Sequence, residues 1–230
     1  AAMMPNYYGV KKSIRKCNDA LSALSPGDIP PSLACKMEAS AEEALDEGRC
    51  ELAQTIMQRI LAVYPHAVSA LDLMGRIKNE KRDYDIATRY FLRASKLAPE
   101  DPASYANLGF SLIEMGRYEE GFESYKKAIE LDPDILQAWQ NSGIALMNMG
   151  KKEEALEHFD RAIEINKDYY MAWYSRSLVL DDMGRKEEAD ESRLTALRLN
   201  PSYVLRSALG MEKSHKSGMT KDTKMRKNRW

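Results

Sequence analysis

Apolar and polar positions along residues 34–203 recur with two periods at once. The short period is three to four residues, as in Leu108, Leu112 and Met115, or Phe122, Tyr125 and Ile129. That spacing gathers the apolar side chains on one stripe of an amphipathic helix. No alternation of period two is present, so the pattern predicts helices and no sheet. The long period is 34 residues, and it divides the chain into 34–67, 68–101, 102–135, 136–169 and 170–203 with nothing inserted. Gly48, Gly116, Gly150 and Gly184 fall between the two apolar stretches of a unit, where a helix end favours a left-handed residue. Pro65, Pro99, Pro133 and Pro201 mark the end of the second stretch, since proline cannot continue a helix interior. Each unit therefore reads helix, tight turn, helix, tight turn.

Three columns hold small side chains. They are Ala41, Gly75, Gly109, Gly143 and Ser177; then Ala53, Ala87, Gly121, Ala155 and Ala189; then Ala94, Ala128, Ala162 and Ala196, a column that opens with the larger Ile60. Large residues surround them: Met37, Leu71, Tyr105, Trp139 and Trp173 early in each unit, and Met57, Phe91, Tyr125 and Phe159 late. Small set against large is how interiors reach high density without strain, so the first two columns mark close helix approach inside a hairpin and the third marks contact with the next. A 34-residue unit cannot bury its own apolar face alone and must stack on neighbours.

The unit Leu136–Tyr169, with its Trp, Gly, Leu, Ala, Phe and Ala columns, resembles a tetratricopeptide repeat, and 170 of the 230 residues keep that register. The resemblance implies an all-α fold, a right-handed superhelical solenoid of stacked helix-turn-helix hairpins, with first helices lining a concave surface. Several residues depart from the family pattern. Lys78 and Arg82 occupy an apolar and a glycine column, Lys167 replaces a proline, and Arg176 and Arg193 replace core residues. Lys78 is expected to mark an irregular interface.

The ends differ from the array. Tyr7, Val10, Ile14, Cys17, Leu21 and Leu24 form one helical stripe, broken by Ser25–Pro31, so residues 1–33 read as an N-terminal amphipathic helix and a Pro-rich linker. That helix is expected to lie on the exposed side of the first unit. Residues 204–230 read as a capping helix, from about Tyr203 to about His215, followed by a basic flexible tail. The tail from Val204 carries eight Lys and Arg against two acids, and the first 33 residues four against two. With 34 against 35 in the whole chain, the five repeats are left 22 against 31. An acidic body attracts basic partners, while the tail could make salt-sensitive contact with nucleic acid or an anionic membrane.

Candidate chemistry changes this picture little. Cys17, Cys35 and Cys50 have no zinc or redox spacing, and an odd count without a leader pattern favours reduced thiols in a cytoplasmic protein. His66, His158 and His215 are far apart, and no phosphate loop, nucleophile elbow or His-Glu metal pair occurs. His158 is expected to be solvated or partly packed on a second helix. The pairs Glu119/Glu120, Glu153/Glu154 and Glu187/Glu188 start second helices, where the helix dipole favours acids. No catalytic, cofactor or metal site is expected, and the chain reads as a monomer or weak dimer.

What the resemblance implies about function is a non-catalytic scaffold that holds a peptide or protein segment in its concave groove. Carried onto this chain, the groove face of the first helices comprises Asn107, Phe110, Ile113 and Glu114; Gln137, Gln140, Asn141, Ile144 and Met147; and Met171, Tyr174, Leu178 and Asp182. An apolar strip, amides able to bond a peptide backbone, and an acidic border together suit a ligand with apolar anchors and basic flanks. Binding of a chaperone C-terminal carboxylate is disfavoured. The places where the family's clamps carry a Lys–Asn pair hold Glu38/Glu42, Asp72/Arg76 and Ala106/Phe110, leaving a carboxylate few cations. The alternatives are a targeting or substrate-selecting domain of a larger enzyme, or an adaptor that uses its basic tail. The groove is expected to be open, and the competing reading is that part of its apolar strip is covered by the chain's own C-terminal helix or basic tail.

Overall fold

Each of the five 34-residue units folds as two antiparallel helices joined by the same turn. In the computed structural model, residues 29–208 are described, and they contain eleven helices and no strand. The first hairpin is α1 (Pro31–Asp46) and α2 (Cys50–Val63), and the second is α3 (Val68–Glu80) and α4 (Tyr84–Leu97). These belong to a first compact unit that ends at Pro99. The second unit starts at Glu100, two residues before the third repeat. It holds α5 (Pro102–Glu114) and α6 (Tyr118–Leu131), α7 (Leu136–Asn148) and α8 (Lys152–Ile165), α9 (Tyr170–Asp182) and α10 (Lys186–Leu199), and then α11 (Pro201–Ala208). Within each unit every helix packs on the one before it in sequence.

The turn is a local device repeated five times. An N–H three residues beyond the helix closes a bond to the carbonyl five residues back. The pairs are Arg49 to Ala44 at 2.7 Å, Asp83 to Lys78 at 2.8 Å, and Arg117 to Leu112, Lys151 to Leu146 and Arg185 to Leu180 at 2.9 Å. This geometry needs a left-handed residue, supplied by glycine in four turns, as at Gly116 with φ +78°. In the second hairpin Arg82 takes that conformation itself, with φ +63°.

Packing follows the columns. Ala53, Ala87, Ala155 and Ala189 are all fully buried, as are Ala94, Ala128, Ala162 and Ala196. A Cβ on Gly109 would stand 2.8 Å from Cδ2 of Tyr125, and one on Gly75 would stand 2.5 Å from Cε1 of Phe91, so each ring lies directly against a glycine backbone. The early tryptophans act as staples: Trp139 Nε1 donates to the Pro133 carbonyl and Trp173 Nε1 to the Lys167 carbonyl, both at 2.8 Å. Because the acceptor is a main-chain oxygen, lysine serves at 167 as well as proline does at 133.

The charged departures find partners. Helix α3 continues unbroken through Lys78. The Lys78 ammonium donates to Gln54 Oε1 at 3.2 Å and pairs with Asp83 at 3.5 Å. Arg176 Nε pairs with Asp160 at 2.7 Å and its Nη1 donates to Ser192 Oγ at 2.6 Å. Arg193 bridges Asp181 and Asp190. At the head of the second helices, Arg117 and Arg185 clamp Glu120 and Glu188 and hold both carboxyls below the usual carboxylate range.

The boundaries shift slightly at both ends. Helix α1 starts at Pro31, inside the expected linker, because proline is tolerated in a first helical turn. Ile29 just before it is buried, and its carbonyl accepts from Tyr64 Oη at 2.6 Å. The closing helix starts at Pro201 instead of Tyr203. The expected helix over Tyr7–Leu24 and the basic tail lie outside the described residues.

Candidate functional site

Three first helices of the second unit, α5, α7 and α9, are neighbours in order. Successive hairpins repeat at one 34-residue register, so equivalent positions on these helices share a face. Gln140 on α7 ties to α9 directly, its Nε2 donating to Ser175 Oγ at 2.8 Å.

The structure sorts the thirteen expected residues into three groups. Gln137 and Asp182 are exposed. Asn107, Phe110, Glu114, Asn141, Met147, Met171, Tyr174 and Leu178 are half-buried, each still offering surface. Ile113, Gln140 and Ile144 are interior, at 3%, 3% and 8% exposure. The reasons are local. A Cβ on Gly121 would stand 2.7 Å from Ile113 Cγ1, so Ile113 packs into the hairpin against α6. Ile144 belongs to a core cluster with Leu146, Leu156 and Phe159. The apolar part of the face is therefore Phe110, Met147, Met171, Tyr174 and Leu178, without the two isoleucines.

The acidic border is partly neutralised by the protein itself. Asp182 pairs with Lys152 at 2.8 Å, and Lys152 also donates to the Asp182 carbonyl at 3.1 Å. Asn148, beside them, donates to the Ile144 carbonyl of its own helix at 2.8 Å. The Tyr125 hydroxyl is buried and finds no hydrogen-bond partner at full geometry, although the Asn141 amide faces it. Burial raises its pKa far above the usual phenol value, with the Glu114 charge adding to the effect, so it stays a protonated donor.

One pair imitates a catalytic arrangement. Ser142 Oγ lies 2.7 Å from His158 Nδ1, and the same hydroxyl lies 2.9 Å from the Trp139 carbonyl. Ser142 is fully buried, and His158 sits between Phe122 and Trp139, ring centroids 5.7 and 5.0 Å away. No substrate carbonyl can reach such a hydroxyl, and the pair is a packed link between α7 and α8. Burial lowers the His158 pKa and outweighs the nearby Glu157 and Glu154. Among the described residues, no group of His, Cys, Asp and Glu is arranged to hold a metal ion. None of the described helices is long and apolar enough to cross a membrane.

Sequence reading missed an aromatic cluster at the end of this face. The Tyr203 ring of α11 stands edge-on to Tyr170 at 4.7 Å and to Tyr174 at 5.7 Å, and Tyr169 lies 6.4 Å from Tyr170. Burial, with Tyr170 close by, pushes the Tyr169 pKa up to about 12. The available signal was the concentration of tyrosine at 169, 170, 174 and 203.

The tetratricopeptide repeat family pattern matches residues 102–135, 136–169 and 172–203, which are the three hairpins of the second unit. The fold is similar to several solved structures. MamA superposes with a TM-score of 0.64 at 19% identity, over 72% of this chain and 96% of that one. YrrB, described as a TPR protein with an unusual peptide-binding site, gives 0.62 at 21% identity over 78% and 92%. PilF of Pseudomonas aeruginosa gives 0.66 at 17% identity over 77% and 85%. No curated protein matches the chain by sequence.

Proposed function

We propose, for a chain that belongs to the tetratricopeptide repeat family, that it is a non-catalytic scaffold binding a peptide or protein segment on the face of α5, α7 and α9. The observation that carries this reading is the alternation on that face. Half-buried apolar side chains (Phe110, Met147, Met171, Leu178) are interleaved with the amides Asn107, Gln137 and Asn141. Apolar anchors gain by leaving water, and amides supply both donors and acceptors for a backbone that would otherwise lose its hydrogen bonds. Methionine lets such a surface adapt to its guest. The peptide-binding description of YrrB, a protein of similar fold, points the same way. A basic flank of the ligand placed near Asp182 must displace Lys152 from it.

Panning a random dodecapeptide phage library on the immobilised protein tests the proposal. Selected peptides are expected to lose at least about tenfold in affinity, about 1.4 kcal/mol, against the double variant Gln137→Ala/Asn141→Ala. Gln137 is exposed, so Gln137→Ala should leave circular dichroism and melting unchanged, whereas Asn141→Ala removes the amide that faces the buried Tyr125 hydroxyl and should lower the melting temperature while the helical signal is kept. Undiminished binding to that variant would place the ligand elsewhere.

A further inference from the structure

The helix that closes the interior of the second unit also stands on part of its candidate binding face. Tyr170, Tyr174 and Leu178 are four residues apart on α9 and therefore share one stripe. Two of the three are met edge-on by Tyr203, at 4.7 Å and 61° for Tyr170 and 5.7 Å and 88° for Tyr174. Helix α11, which presents that ring, spans eight residues. Its first turn is held by the Asn200 side chain, whose Oδ1 accepts from Tyr203 N at 3.0 Å, and by Val204, 4% exposed. These contacts fix the start of α11 against the second unit.

We infer that α11 is a reversible latch: Tyr203 occupies the Tyr170–Tyr174 end of the face, and a ligand takes that end only when the latch lifts. The inference rests on the proposed binding role of this face and concerns how it is regulated. Latch and ligand compete for the same two rings, so the apparent affinity falls by the fraction of molecules that are unlatched. The edge-to-face pairs hold the latch without making it permanent, because ring pairs of this kind are individually weak. The device ties exposure of the face to whatever else binds or modifies the C-terminal helix.

The test uses the full chain and the random dodecapeptide phage library as probe, panned on wild type, Tyr203→Ala, Tyr203→Phe and Asn200→Ala. Asn200→Ala loosens α11 through its cap and leaves every tyrosine in place, so it guards against an effect of lost packing at Tyr203. Both alanine variants are expected to recover at least about threefold more phage than wild type, while Tyr203→Phe, which keeps the ring, matches wild type. Peptides eluted from Tyr203→Ala should also protect Tyr170 and Tyr174 from nitration by tetranitromethane, read by mass spectrometry. Equal recovery from all four proteins, or peptides that leave both tyrosines reactive, would overturn the latch while the scaffold reading stands. No recovery from any of them would remove the scaffold reading and the latch together.

Discussion

Gly143 lies so close to the edge of the Phe159 ring that a Cβ built on it would stand 2.6 Å from Cε1 and 2.9 Å from Cδ1. Phe159 is completely buried, so the ring has nowhere to retreat without disturbing its own neighbours. Gly143→Ala is expected to destabilise the protein by about 1–3 kcal/mol, although alanine is the better helix former by about 1 kcal/mol. Urea unfolding checks this, and a stabilised variant would mean that the two helices of this hairpin are not in such close contact.

Arg82 invites the opposite change. It is the one non-glycine residue with positive φ among those described, at the turn position that glycine fills in the other four hairpins. A side chain there strains the backbone by roughly 1–2 kcal/mol, partly offset by the greater freedom of glycine when unfolded. Arg82→Gly should raise stability by about 0.5–1 kcal/mol, seen as a higher melting temperature. An unchanged or lower value would show that contacts of the arginine outweigh the strain.

Ile144→Arg separates interior from surface. At 8% exposure, within the cluster that holds Leu156 and Phe159, the substitution should cost about 3 kcal/mol or more by burying an unpaired charge. Loss of the cooperative melt is the expected result. A variant that melts normally and fails only to bind peptide would return Ile144 to the binding face.

The buried imidazole predicts a pH dependence. Burial lowers the folded-state pKa of His158 below its unfolded value, so on acidification the unfolded chain takes up this proton first. Stability from this site is complete above the unfolded histidine pKa and is lost as pH falls toward and through the folded one. His158→Gln, which removes the titration, should lose less melting temperature than wild type between about pH 7.5 and about pH 5.5. Parallel losses in the two proteins would show that His158 protonates without cost.

The helical hairpins and their register were legible from residue order alone, because the forces that set them are local. A glycine two residues beyond a helix, an acid in a first turn and an apolar residue every third or fourth place act over a few residues, and the 34-residue repeat multiplies each signal. The small columns were legible too, since a side chain must be small wherever a ring such as Phe159 lies on the backbone. The family's general role as an interaction scaffold came with those columns.

Tertiary structure alone decided which face each residue near the seam would take. Ile113 and Phe110 lie three apart on one helix, and only the packing of α6 draws the first inward and leaves the second half-exposed. Partners distant in sequence settled the charged departures: Lys78 meets Gln54, and Arg176 meets Asp160 and Ser192. The placement of Tyr203 over Tyr170 and Tyr174 is likewise a contact across about one full repeat. Spacing along a chain reports what a residue's own helix requires, whereas such contacts depend on how the hairpins stack, which is determined only when all their surfaces meet.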